Sequence, residues 1–220
     1  MLTLFIGNKA YSSWSLRPWI LLASLHIPFE EKLINIYDDA GKKKLRRQSP
    51  TAKVPMLVDG DIEVWESIAI FEYLAEKYPA RNIWPKNKAA RAHARSLCAE
   101  MHAGFMALRR NYPTNFRRDV RTRELPPEAA AEVAADVARI EAAWSKARKQ
   151  FGKGGPFLFG KFSAADAMFA PVVNRLHIYN APVSKTTRDY MNAIMALPAW
   201  VAWHADAAKE KWHHDIYDAI

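Results

Sequence analysis

A stretch with two prolines, PARNIWPKNK at 79–88, divides this chain into two hydrophobic textures that no single element type can satisfy. Before it, short runs alternate between period-two and period-four patterning. After it, apolar residues recur almost only at three- and four-residue steps. Alternation puts successive side chains on opposite faces of a strand, whereas the longer step lines one face of a helix. The division predicts a mixed α/β unit over 1–79, a linker over 80–88 and an all-helical unit over 89–220. Both units are within the usual domain range.

In the first unit, Leu2, Leu4 and Ile6 read as a half-buried strand ending at Gly7-Asn8. Arg17 to Leu25 reads as a helix that Ser15 caps, with Pro18 in its first turn where a missing N–H does no harm. A strand over Phe29–Ile36 and a basic helix over Lys42–Gln48 follow. Val54–Val58 and Ile62–Trp65 flank Asp59-Gly60-Asp61, a strong hairpin signal. Ser67–Tyr78 closes the unit as an amphipathic helix. In the second unit, Ala90, Ala94, Leu97, Met101, Phe105 and Leu108 predict one long amphipathic helix. Pro126-Pro127 opens another, on which Val133, Val137, Ile140 and Trp144 mark the buried side. Ser163-x-x-Asp166 is a capping-box pattern for a helix through Leu176, with Pro171 expected to kink it. Shorter helices are expected near Thr187–Met195 and from Pro198.

Composition narrows the classes of function. Lys and Arg number 32 against 23 Asp and Glu, a net charge of +9 that favours anionic partners. The run Lys42, Lys43, Lys44, Arg46, Arg47 reads as solvated surface. No apolar run reaches bilayer length, and the N-terminal apolar stretch reads as a strand rather than a leader. The single cysteine, Cys98, excludes an internal disulfide, reads as a buried thiol among apolar neighbours and fits a reducing cytoplasm. Adjacent His213 and His214 lack the i, i+4 spacing of a helical metal pair, so no metal is expected.

Three stretches carry chemistry. In Tyr11-Ser12-Ser13-Trp14-Ser15-Leu16-Arg17, two hydroxyls precede a helix whose free N–H groups and partial positive charge suit an anion. Ser12 and Ser13 can equally be loop residues and caps. In Lys53-Val54-Pro55-Met56-Leu57, Pro55 is a candidate cis residue that would present the Val54 backbone to a ligand, or it merely begins a strand. Glu66-Ser67 stands at another helix start, with a hydroxyl suited to a carboxylate ligand or acting as a plain cap.

These three motifs in this order, followed by the Ser-x-x-Asp box, resemble the cytosolic glutathione transferases over the whole chain. The Ser-Ser-x-x-x-Arg arrangement looks most like the serine-type classes such as zeta and tau, with Trp14 standing where zeta members carry cysteine. The resemblance implies a thioredoxin-like α/β N-terminal domain and an all-α C-terminal bundle. It implies a glutathione S-transferase in which glutathione is the co-substrate and a small electrophile is conjugated, isomerised or reduced, with a part in detoxification. It implies Ser12, or Ser13 beside it, as the hydroxyl that holds the sulfur as thiolate. Lys53 would meet the glycine carboxylate, Val54 before Pro55 the cysteinyl backbone, and Glu66 and Ser67 the γ-glutamyl end. Phe105, Arg109 and Tyr112 would line the pocket for the electrophile, and Arg109 could draw an acidic one. A cytoplasmic homodimer is implied, with neither membrane nor nucleic acid as partner. The other reading the resemblance leaves is a non-catalytic scaffold of the same fold, motivated by the +9 charge.

Overall fold

The computed structural model describes residues 1–219. The α/β part contains β1 (Leu2–Ile6), α1 (Ser13–Ser24), β2 (Phe29–Leu33), α2 (Asp39–Gln48), β3 (Met56–Asp59), β4 (Ile62–Trp65) and α3 (Ser67–Lys77). The sheet order is β2-β1-β3-β4. The first two strands run parallel, with Leu2 opposite Phe29, and β3 and β4 each run antiparallel to their neighbour. A parallel pair needs a crossover, which α1 supplies, while the Asp59-Gly60-Asp61 turn joins β3 to β4 directly. Gly60 sits at φ +61, the left-handed region that such a turn requires. This is a thioredoxin-like arrangement joined to a helical part.

The first helix begins earlier than its sequence suggests. Its cap is Ser12, whose Oγ accepts the Ser15 backbone N–H at 3.4 Å, and not Ser15. Ser15 lies one turn inside and is wholly buried, its Oγ accepting the Gly7 N–H at 2.9 Å and tying α1 to the end of β1.

The helical part contains α4 (Lys88–Ala103), α5 (Met106–Asn111), α6 (Pro127–Phe151), α7 (Ala164–Ile178), α8 (Lys185–Met195), α9 (Pro198–Lys209) and α10 (Asp215–Asp218). The single long helix expected over Ala90–Leu108 is two. It breaks at Gly104, and Phe105 follows at φ +61. Arg109 holds the break: its guanidinium donates to the Gly104 carbonyl at 2.9 Å and to the Met101 carbonyl, satisfying the orphan acceptors at the end of α4. The apolar repeat runs through the break, with Leu97 and Met101 on α4 and Leu108 on α5 all buried.

Helix α7 is buried along nearly its whole length and packs on α1 and α4, so it is the spine of the molecule. Its start is a complete capping box. Ser163 N–H and Oγ donate to the Asp166 carboxylate at 2.9 and 3.0 Å, and Leu158 N–H and the Tyr190 hydroxyl reach the same side chain. Arg17 on α1 donates from Nε to the Met168 carbonyl at 3.1 Å, which joins the two parts through the core. No helix among the described residues is long and apolar enough to cross a membrane.

Candidate active site

The sequence brings one end of the α/β part against α4, α5 and α7. A cavity of about 870 Å³ opens there. Tyr11, Ser12, Ser13 and Trp14 form its floor at the start of α1, and Lys53 and Val54 line it from the loop before β3. A second cavity of about 340 Å³ adjoins it and shares Trp14, Lys53, Val54 and His102 with it. Pro55, Trp65 and Glu66 line that second space.

Ser12 and Ser13 are both buried, each 7% exposed, and both face the larger cavity. Ser12 Oγ donates to Ser15 Oγ at 2.8 Å. Since Ser15 Oγ takes the Gly7 N–H as acceptor, it keeps a proton of its own. Reversing the pair, so that Ser15 donates to Ser12, frees the Ser12 proton for a ligand without losing a hydrogen bond. The Val54-Pro55 peptide is cis. Glu66 precedes α3 at φ +66, a conformation costly for a residue with a side chain. The Ser67 hydroxyl at the start of α3 is buried and has no hydrogen-bond partner. A buried unpaired hydroxyl costs free energy and points to a ligand atom that would satisfy it. Ser67 itself lines neither cavity.

Of the three residues expected around the second ligand, Arg109 lines the larger cavity and Phe105 and Tyr112 do not. Phe105 turns into the core where α4 breaks, and Tyr112 stacks on Tyr179 with ring centroids 4.4 Å apart. Met106, Arg110, Pro113 and Thr114 take the wall in their place. Lys42 and Arg46, read from sequence as plain surface, stand one turn apart on α2 and also line the cavity. Their i, i+4 spacing in the basic run was the available signal.

Trp14 is packed by charge. The Arg17 guanidinium carbon lies 3.9 Å from its ring centre and that of Arg109 lies 5.0 Å away, and the His102 ring meets it edge-on at 5.1 Å. Arg17 is wholly buried and two of its guanidinium nitrogens have no partner. Burial, then Arg109 and Arg175, push its pKa well below the usual arginine range. Arg175 is lowered to about 9 by burial, with Arg109 as the next cause. His102 on α4 lies 3.5 Å from the Glu66 carboxylate, and burial lowers its pKa against the pull of that carboxylate.

The larger cavity is therefore electropositive. Lys42, Arg46, Lys53, Arg109, Arg110 and Arg175 line it, and among the described residues no Asp or Glu does. Among the described residues no group of three or more His, Cys, Asp or Glu side chains could hold a metal ion. Cys98 is buried and its thiol pKa is raised beyond the working range by burial, so it is no nucleophile.

Comparison with known proteins points to one family from both halves of the chain. Residues 11–77 match the model of the glutathione S-transferase N-terminal domain, and residues 130–206 match that of the C-terminal domain. A probable maleylacetoacetate isomerase from Caenorhabditis elegans is 37% identical over 101 residues, 46% of each chain. A dichloromethane dehalogenase from Methylophilus leisingeri is 43% identical over 61 residues, 27% of this chain and 23% of that protein. These matches span less than half the length of either relative. A glutathione transferase homolog from Burkholderia, solved with bound glutathione, superimposes with a TM-score of 0.70 at 22% identity, over 95% of this chain and 99% of that one.

Proposed function

Since the chain belongs to the glutathione S-transferase family, we propose that it binds glutathione between its two parts, keeps the sulfur ionised at the start of α1 and transfers it to an anionic electrophile. The observation that carries this is the convergence of Ser12, Ser13, Lys53 and Val54 on one cavity, with Glu66 lining the space beside it. Residues 1–79 bind the tripeptide, 80–88 link, and 89–220 bring the wall for the electrophile. Lys53 takes the glycine carboxylate. Val54, before the cis Pro55, pairs its backbone with the cysteinyl unit. Glu66 and the unpaired Ser67 hydroxyl hold the γ-glutamyl ammonium and carboxylate.

The chemistry closes by magnitude. A free thiol of pKa about 8.5 is roughly 3% thiolate at neutral pH, and lowering that pKa by about two units takes roughly 2.7 kcal/mol. A charge-assisted hydrogen bond from Ser12 supplies roughly 1.5–3 kcal/mol. The N-terminus of α1 adds about 0.3–1 kcal/mol. Ser13 is the neighbouring candidate for the same role. The thiolate attacks the electrophilic carbon, the C–S bond forms, and the leaving group departs with its electron pair. Reversible addition of the same thiolate to an activated double bond makes glutathione-dependent isomerisation part of this reading, as in the isomerase named for the Caenorhabditis elegans relative.

The charge of the second substrate follows from the wall. Glutathione occupies Lys53 and the α1 N-terminus, which leaves Arg109, Arg110 and Arg175 facing the electrophile with no carboxylate among the lining residues. Six cations around one cavity also account for part of the +9 charge without a nucleic acid partner. Thioether formation with 4-chloro-3,5-dinitrobenzoate, compared with neutral 1-chloro-2,4-dinitrobenzene, tests this. The anionic halide is expected to gain about tenfold in kcat/KM over the neutral one relative to their uncatalysed rates, and R110A is expected to remove most of that gain. No thioether from either halide would overturn the transferase reading, and equal enhancement of both would overturn the anionic one. A cytoplasmic homodimer with a part in detoxification completes the proposal, and sedimentation at twice the chain mass checks the dimer.

A further inference from the structure

The end of the chain returns to the catalytic serines. After α9, Glu210 receives the Lys9 and Ala10 backbone N–H groups on its two carboxylate oxygens at 2.6 and 3.0 Å. Arg117 then holds the next stretch, donating to the Glu210 and Trp212 carbonyls, both at 2.9 Å. The short turn α10 follows, and Ile216 and Tyr217 on it line the larger cavity together with Met106, Arg109 and Arg110 of α5.

One carboxylate gathers most of the polar contacts of that turn, and Asn115 Nδ2 adds a donation to the Tyr217 carbonyl at 3.2 Å. Asp218 accepts from the Tyr11 hydroxyl at 2.7 and 2.8 Å, from Asn115 Nδ2 at 3.3 Å and from the His214 N–H at 3.3 Å. His213 Nδ1 lies 3.0 Å away and the Arg117 guanidinium 3.6 Å away. Arg117 also donates to the Tyr11 hydroxyl. The rings of Tyr37, His214 and Tyr217 close around Tyr11, with Tyr37–His214 and His214–Tyr217 centroids 4.3 and 4.5 Å apart. Tyr11 directly precedes Ser12. The residue that anchors the turn is therefore the neighbour of the residue that would meet the sulfur.

We propose that Ile216 and Tyr217 are specificity-determining residues for the second substrate and that Asp218, latched to Tyr11, is the positioning residue that holds them against the cavity. Ile216 is two-thirds exposed, and Tyr217 is half-buried and packs only on the edge of the main core. What keeps them in place is the polar set around Asp218 and the aromatic contacts of Tyr217. A wall held by a few polar and ring contacts at the edge of the fold can shift to admit or release a ligand without disturbing α7, whereas the Arg109 wall cannot, because Arg109 also ties off α4.

This inference rests on the transferase reading for the identity of the ligand, and two readouts separate the failure of one from the failure of the other. The first uses calorimetry and steady-state kinetics on the full chain. Y217A and D218N are expected to weaken S-(2,4-dinitrophenyl)glutathione about five- to tenfold while leaving glutathione affinity within about twofold, because only the aryl group reaches the turn. The KM for the halide should rise in step and kcat should hold or increase, and Asp218→Glu, which keeps the acceptor charge, should recover part of the loss. The second is amide hydrogen exchange over 211–219 in the unliganded protein, which D218N should accelerate about tenfold or more while the amides of α7 keep their protection. Unchanged exchange in D218N overturns the latch, whatever the activity. Unchanged product affinity in Y217A overturns the specificity role. A wild-type protein that binds neither compound overturns the transferase reading and the specificity role together, and leaves the latch to be decided by exchange.

Discussion

At the start of α7, Ser163 and Asp166 satisfy one another and the backbone around them. At the start of α1, Ser12 caps its helix with a long 3.4 Å bond and shares its proton with Ser15 beside an open cavity. Ser163 and Asp166 are wholly buried, and four donors converge on one carboxylate. Ser12 is nearly as buried, yet it stands against space and can turn its proton outward. The same serine at the same position of a helix is closed in one case and held in reserve in the other. A third start, that of α3, goes further: Ser67 is buried with no partner at all. Ordered by how much hydrogen bonding is already complete, the three sites run α7, α1, α3. Their effect on stability should follow that order, whereas an effect on glutathione chemistry should be absent at α7 and present at both α1 and α3.

The largest effect on stability is expected from Asp166→Ala. It strands the Leu158 and Ser163 N–H groups and the Ser163 and Tyr190 hydroxyls inside the core. A loss of roughly 3–5 kcal/mol follows, or about 10 °C in melting temperature for a chain of this size. Glutathione affinity of the protein that remains folded should be unchanged. A melting temperature within a degree or two of wild type would break the comparison at its structural end. The pH dependence sharpens it. Burial raises the Asp166 pKa to about 6, against the hydrogen bonds that lower it. The native state then binds this proton more tightly than the unfolded chain does. The group's stabilising contribution is greatest below the unfolded value near 4, declines as pH rises towards 6, and is flat above. Denaturant titrations of wild type and D166N should therefore show a difference that narrows across that window.

Ser12→Ala comes next. Losing a cap of this kind costs about 1 kcal/mol, a few degrees at most. The chemical effect is larger: the thiol pKa of bound glutathione should rise by roughly one to two units, with a fall in kcat/KM at neutral pH of about ten- to a hundredfold. Ultraviolet titration of the bound thiolate reads this directly. An unchanged pKa in Ser12→Ala, with the shift appearing instead in Ser13→Ala, would reassign the sulfur contact by one residue and leave the comparison of helix starts standing.

The sequence makes some of this visible and hides the rest for physical reasons. Strands, hairpin and capping box are local patterns, and they read correctly because Asp59-Gly60 and Ser163-x-x-Asp166 act within a few residues. The break at Gly104 is not local in that sense. The apolar repeat crosses it undisturbed, and it depends on Arg109 reaching back to the Gly104 and Met101 carbonyls. That break is why Phe105 and Tyr112 face the core while Arg109 alone of the three reaches the cavity. Lys42 and Arg46 looked like surface because they are, and their second role depends on what stands across the cleft. The Tyr11–Asp218 latch joins residues 207 positions apart, beyond any motif.

The smallest effect on stability belongs to Ser67→Ala, and it is the most discriminating. In the unliganded protein the Ser67 hydroxyl is buried and unpaired, so removing it discards no hydrogen bond and relieves the cost of a desolvated polar group. Its position at the first residue of α3, after a Glu66 that makes no side-chain cap, means no capping bond is lost either. The melting temperature should stay within a degree or rise slightly. Glutathione affinity should nevertheless fall about tenfold, because the ligand carboxylate loses a donor placed for it. A purely structural serine would give the opposite pair of results, lower stability with affinity intact. Measuring both on the same variant thus separates a hydroxyl kept for the fold from one kept for a ligand, which neither its sequence position nor its burial can do.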